Sequence, residues 1–413
     1  MRNTFSLDEI LAYIECSRRS SSLDIPAFLD SLEPELLDSV MALVAENEEE
    51  NCLSGIDELA ESGKPIFLAD ERVRFNRHVA QSMKELLGNT GVRILIDEED
   101  SLGGLRVHMA RTLQDLEPMI PWKPKISIAG LGDVGGTLLT GLRLLGGEDL
   151  GAIRIYDPDA NKVRRYELEI NEVSDGGPMP EVIGSSYQEL LDCDILVFTV
   201  SLGVPPLGTN LTDVRMVQFE KNSAVLLQYA KDAEKSGFRG MYFIVSDPVD
   251  QLCMSLMLNG GIAPERIRGF GLGVMEGRAR YIAKEMGEYR DDLRVYGPHG
   301  KGIIAVNSLS EYDEEVSLEL AARTERENFR IRETGFKPYI APALSSGAIQ
   351  MVKAIRGEYH ASAWFDGKVF FGARSMLNEG FTQPERIPLK AILPRLEACE
   401  DFLLSFFRQG DIV

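Results

Sequence analysis

The stretch that most constrains this chain is KISIAGLGDVGGTLLTGLRLLG, residues 125–146. A short apolar run ending at Ala129 reads as a buried strand, and leucines at three- and four-residue spacing after it read as a helix. Between the two lies Gly130-x-Gly132-x-x-Gly135. Gly130 permits the tight turn, Gly132 lets the backbone approach a bound group, and Gly135 lets helix and strand pack closely. Asp133 and Val134 open the helix, whose free amides and partial positive charge suit a pyrophosphate. The next strand pattern, AIRIYD, ends at Asp157, placed to accept hydrogen bonds from ribose hydroxyls. Its charge disfavours a 2′-phosphate. The expected cofactor is therefore NAD rather than NADP, held by Gly130, Gly132, Asp133, Val134, Gly135 and Asp157.

The alternation continues through DILVFTV (194–200) and MYFIVSD (241–247), with helical patterns between the strands. This rhythm implies an α/β fold: a Rossmann-type dinucleotide-binding domain over 121–265, built on a mainly parallel sheet. From 266 to 413 helices mix with SAWFDGKVFFGA (362–373), which alternates around Asp366–Gly367 and reads as a hairpin. That half is expected to be an α+β substrate and catalytic domain. Residues 1–120 read as a mainly helical N-terminal extension of unassigned role. LDEILAYIEC, the run from Ile25 to Asn51 and NRHVAQSMKELL have helical spacing, and RILIDEED offers one short strand. The prolines of EPMIPWKP (117–124) mark a linker.

Charge and cysteine usage remove several function classes. With 65 acidic against 44 basic residues, the net charge is −21, which repels phosphate backbones and argues against a nucleic-acid partner. No apolar run approaches the roughly 20 residues of a membrane span, and no basic-then-apolar leader begins the chain, so a cytoplasmic protein without membrane association is expected. Cys16, Cys52, Cys193, Cys253 and Cys399 are scattered and form no CxxC pair, so neither a disulfide framework nor a metal site is expected.

Several segments, in order, resemble the NAD-dependent lactate/malate dehydrogenases. ISIAGLGDVGGTLL resembles their cofactor loop, and DCDILVFTVSLGVPP the strand entering their mobile active-site loop. YFIVSDPVDQL resembles their S-N-P-V-D segment, and RIRGFGLGVMEGRARYIAKEMG their arginine-bearing helix. VYGPHGKG resembles the catalytic G-x-H-G, and YIAPALSSGAIQMVKAI a C-terminal helix of the malate-type branch. The likeness spans roughly 125–400. It implies hydride transfer between nicotinamide and a small 2-hydroxy acid, a small-molecule carboxylate as partner, and a homo-oligomer. It also implies that His299 carries the hydroxyl proton, that Arg278 grips the carboxylate, and that Asn222 belongs to the cofactor side.

Other positions depart from that pattern. Met275 stands where the family has the aspartate supporting its histidine, and Asp247 where it has a carbonyl-binding asparagine. The polarising loop arginine falls on Leu211 or Thr212, the specificity position on Pro205 or Pro206, and no arginine occurs in the loop before Arg215. Two expectations follow. Asp247, a third candidate catalytic residue, or alternatively Glu276, supports His299, and an ionised Asp247 suits a hydrogen-bond-donating substrate group such as an iminium. Alternatively, the losses have retired catalysis and left an NAD-binding regulator. Arg280 is expected to meet solvent or a structural carboxylate, Asp250 to act as a helix cap or structural contact, and Glu169 to be structural.

Overall fold

The computed structural model describes residues 120, 123–202, 218–378, 381–385 and 390–408, together with three strands within 66–110. The chain divides into two compact units, residues 1–119 with 378–386, and 120–377 with 387–413.

In the first unit, β1 (Ile66–Ala69) pairs in parallel with β2 (Arg93–Glu99), and β2 pairs antiparallel with β3 (Leu105–Ala110). β2 is the strand expected in RILIDEED. β3 was not anticipated, although Leu105, Val107 and Met109 alternate with Arg106 and His108 at the strand period of two. The three helices expected in this part of the chain lie outside the described residues.

The second unit is built on one twisted sheet. Its strands are β4 (Ile126–Ala129), β5 (Ile153–Tyr156), β6 (Val182–Gly184), β7 (Ile195–Phe198), β8 (Met241–Ile244), β9 (Ile267–Gly269), β12 (His360–Phe365) and β13 (Phe370–Asn378). They lie side by side in the order β13-β12-β9-β8-β7-β4-β5-β6. From β9 to β6 the pairings are all parallel. β12 runs antiparallel to β9 and closes the expected hairpin with β13. β4, β7 and β8 are buried at every position, which is why they read as continuous apolar runs rather than alternating ones.

Helices connect the parallel strands. They are α1 (Asp133–Leu145), α2 (Ala160–Asn171), the single turn α3 (Tyr187–Leu190), α4 (Phe219–Lys235) and α5 (Val249–Leu258). α1 buries Leu138, Leu139 and Leu142. Leu196 and Phe198 of β7 and Tyr242 and Ile244 of β8 pack with Tyr229 and Ala230 of α4 and with Leu252 and Leu256 of α5. After β9 come α6 (Leu272–Met286), the small antiparallel pair β10 (Arg294–Tyr296) and β11 (Ile304–Val306), and α7 (Glu314–Glu333). A π-helical stretch, Pro342–Ala348, then leads into α8 (Ile349–Ile355), and α9 (Leu393–Arg408) follows the hairpin.

From β4 the chain moves outward to β5 and β6, then returns to the other side of β4 to form β7, β8 and β9. The order reverses between β4 and β7. Loops leaving the carboxyl ends of those two strands diverge, and a crevice opens there.

Candidate functional site

The crevice is a cavity of about 1120 Å³. At one end the first glycine turn follows β4. Gly130 adopts φ +97°, a left-handed conformation that glycine takes without strain, and its amide donates to the Tyr156 carbonyl. A Cβ on Gly135 would lie 2.0 Å from the Gly130 oxygen and 2.8 Å from Thr199 Oγ1, so the turn, α1 and β7 pack there without a side chain. Thr199 Oγ1 donates to the carbonyls of Ala129 and Gly130 and ties the turn to β7. A Cβ on Gly132 would meet nothing within 4 Å. The wall at Gly132, Asp133 and Val134 therefore faces open space at a helix N-terminus, the chemistry a pyrophosphate fits. Gly135 lies behind that wall.

Asp157 lines the same end. Its carboxylate accepts from the Leu131 amide at 2.9 Å and the Asp159 amide at 3.1 Å, and both oxygens lie 3.1 Å from Lys162 Nζ. Burial pushes the carboxyl upward, but the two amides and the ammonium outweigh it and hold it below the ordinary range, ionised at neutral pH. Lys162 was not anticipated, although its placement is local. Asp159 caps α2 and so brings the helix's first turn back beside Asp157. The ammonium offsets the charge on which the preference against a 2′-phosphate rested.

The other end is assembled from three distant segments. His299 sits in the turn between β10 and β11, where Gly297 (φ +95°), Gly300 (φ +154°) and Gly302 (φ +89°) take left-handed conformations. The glycines around the histidine are therefore a requirement of the turn's backbone. Gly297 also donates to the Gly372 carbonyl at 2.8 Å, docking the turn onto β13. Asp247 follows β8, with a cis peptide to Pro248. Its Oδ1 lies 3.4 Å from His299 Nε2, long for a hydrogen bond but close enough for a charge pair when the imidazole is protonated. Asp250, in the first turn of α5, accepts the His299 amide at 2.9 Å. It is thus a structural contact, and the residue it fixes is the histidine. Of the two alternatives for supporting His299, the structure brings Asp247 to the ring and engages Glu276 with Arg280 at 2.9 Å. Arg280 also reaches the Leu293 carbonyl, and Glu169 pairs with Arg165, so both have structural partners.

Two other expected residues stand behind the cavity wall. Asn222, on α4, is fully buried; it accepts from the Leu202 amide at 2.8 Å and donates to the Asp247 carbonyl at 2.8 Å. It joins the start of the loop that follows β7 to the residue beside His299. Arg278 is buried on α6, with Nη1 3.5 Å from Met275 Sδ. The loop positions 205, 206, 211, 212 and 215 lie outside the described residues. Unanticipated on the wall are Arg332 and Lys337, at and just beyond the end of α7. No signal in the sequence marks them, because α7 reads as an ordinary charged surface helix. Among the described residues there is no metal-ligating cluster, and no helix is long and apolar enough to cross a membrane.

No family model matches the chain. It is 27% identical over 192 residues to the malate dehydrogenase of Thermoplasma volcanium, covering 44% of this chain and 57% of that one. It is 29% identical over 191 residues to the L-lactate dehydrogenase of Mycoplasma genitalium, covering 45% and 59%. The matched stretch thus spans less than two thirds of these relatives. In structure the chain is similar to the lactate dehydrogenase of Cryptosporidium parvum complexed with lactic acid and nicotinamide adenine dinucleotide. The TM-score is 0.60 and the identity 16%, over 71% of this chain and all of that one. The minor L-lactate dehydrogenase of Enterococcus mundtii gives a TM-score of 0.58 at 20% identity, over 69% and 96%. At these identities the structural likeness shows the fold.

Proposed function

Taking the chain as a divergent member of the lactate/malate dehydrogenase family, we propose that it is an NAD-dependent oxidoreductase. It moves a hydride between nicotinamide and a small 2-hydroxy, 2-oxo or imino acid. One observation carries this reading: the glycine turn with Asp157 and the His299–Asp247 pair line a single cavity. Gly130, Gly132 and the amides opening α1 hold the dinucleotide phosphates, Asp157 takes the ribose hydroxyls, and Asn222 acts from behind by fixing the loop. NAD(H), when bound, supplies the hydride acceptor or donor. His299 takes the substrate proton at Nε2 on oxidation and returns it on reduction, and the Asp247 carboxylate stabilises the imidazolium between those events. A carboxylate accepts hydrogen bonds only, so the same Asp247 favours a substrate nitrogen that donates over a bare carbonyl oxygen. By family resemblance the soluble protein works as a homo-oligomer in the cytoplasm.

The test is NADH absorbance with a panel of 2-oxo acids, each with and without ammonium. One substrate is expected to consume NADH, and His299→Asn to lower its turnover by roughly 10²–10⁴ with NADH affinity kept. A second reading, an NAD-binding regulator without turnover, draws on Met275 and on the burial of Arg278 against it. NADH binding with no consumption of it across the whole panel would establish that reading instead.

A further inference from the structure

Past Asp157 the cavity wall turns aromatic. Tyr156, Tyr187 and Tyr229 line it, from the end of β5, the start of α3 and the middle of α4. The rings pack edge to face, Tyr156 against Tyr187 with centroids 5.5 Å apart and Tyr187 against Tyr229 at 5.1 Å. Tyr156 directly precedes Asp157 in the chain. Burial first, and then the neighbouring Tyr156 and Asp157, push the Tyr229 hydroxyl upward, so the third ring also stands beside the acid. Such a wall suits a flat heteroaromatic ring.

One charged group is joined to that wall. Asp232, also on α4 and on the cavity lining, accepts from Tyr187 Oη at 3.0 Å and from Gln228 Nε2 at 2.8 Å. Both bonds fall on the same oxygen, Oδ2. They fix the carboxylate and leave Oδ1 to accept from elsewhere. The Gln228 bond and then the Tyr187 bond hold the carboxyl below its ordinary range, so it is ionised at neutral pH and only accepts hydrogen bonds.

We infer that Asp232 selects the base of the dinucleotide, accepting a hydrogen bond from the 6-amino group of an adenine seated on the tyrosine wall. The inference rests on the NAD reading above and names the residue that reads the base. In the dinucleotide the base is bonded to the carbon beside the ribose hydroxyls assigned to Asp157, so it lies within a ring's length of that acid, where the tyrosines stand. A 6-amino group donates to a carboxylate. The 6-oxo group of hypoxanthine only accepts, and sets its oxygen against the Asp232 charge. The glycine turn and Asp157 cannot make this distinction, because their contacts are with phosphate and ribose.

The test titrates the full-length protein with NADH and with its 6-oxo counterpart, reduced nicotinamide hypoxanthine dinucleotide, following nicotinamide fluorescence. NADH is expected to bind roughly tenfold more tightly. Asp232→Asn puts an amide that can donate where the carboxylate stood, and should bring the two Kd values within about twofold, chiefly by tightening the 6-oxo ligand. Asp232→Ala should also erase the preference. Tyr187→Phe keeps the carboxylate but frees it from one bond, and should reduce the preference by less. The inference is overturned if wild type binds both dinucleotides equally. It is equally overturned if the Asp232 substitutions weaken both by the same factor, the mark of a residue that only supports Tyr187. Failure of the wild-type protein to bind either dinucleotide would instead remove the NAD reading itself, and the inference with it.

Discussion

The two ends of the cavity are built in opposite ways. The glycine-turn end is written almost entirely in residues 125–162, with Thr199 as the outside tie. The histidine end draws on Asp247 after β8, Asp250 on α5 and His299 in the β10–β11 turn. The first end keeps the residues its pattern requires. The second departs from the pattern it resembles at Asp247 and Met275, and its contacts come from elements far apart in sequence. A local backbone device tolerates little change, because Gly130 holds a left-handed φ and Gly135 leaves no room for a side chain. A constellation of side chains can be redrawn from any element that reaches the cavity.

The sharpest way to break this comparison is to substitute two glycines of one motif. Gly135→Ala drives a methyl to 2.0 Å from the Gly130 oxygen, and the turn must shift. It is expected to cost about 2–3 kcal/mol in urea denaturation and to abolish NADH binding. Gly132→Ala places its methyl where no protein atom lies within 4 Å. Stability should stay within about 0.5 kcal/mol of wild type, while NADH affinity falls roughly tenfold or more as the methyl enters the space assigned to the pyrophosphate. Equal effects of the two changes on folding would show that Gly132 has no ligand-facing role.

A smaller effect tests how the two ends communicate. Asn222→Ala leaves the Leu202 amide and the Asp247 carbonyl without their side-chain partner. A loss of about 2 kcal/mol is expected, with turnover falling more than NADH affinity, because Asp247 is the residue released. If NADH affinity fell more than turnover, the asparagine would belong to the cofactor end.

The smallest effect concerns the sheet beneath both ends. His360 on β12 is fully buried, with Nδ1 3.1 Å from the Glu358 carbonyl. Burial pushes its pKa down to about 3, against an ordinary value of about 6.5. The unfolded chain therefore takes up a proton below pH 6.5 that the folded chain refuses until about pH 3. The stability tied to this group is complete above pH 6.5 and is lost as pH falls through that window. Between pH 7 and 5.5 wild type should lose about 1 kcal/mol more than His360→Leu in urea denaturation. Identical pH profiles would show that the imidazole titrates equally in both states.

How much of this was legible follows the same division. The apolar runs at 126–129, 195–198 and 241–244 and the hairpin around Asp366–Gly367 could be read, since full burial and a two-residue turn each leave a pattern within ten residues. His299 could be located only by its place in an ordered set of motifs. Its contact with Asp247 could be foreseen as one of two alternatives and no further. Arg332 could not be found, because an arginine near the end of a charged helix has the same sequence signature whether it meets water or a cavity.

The sequence by itself determined the strand–turn–helix that opens the second unit, the acid that follows it and the alternating elements behind a parallel sheet. Each of these depends on sterics and burial between neighbours in the chain. Only the tertiary structure decided that Asp247, not Glu276, reaches His299, that Asp250 fixes the histidine's backbone, and that Arg332 and Lys337 reach the cavity. Those contacts join residues brought together by the crossovers of the sheet. Nothing in the local spacing of a side chain records which distant surface it will meet.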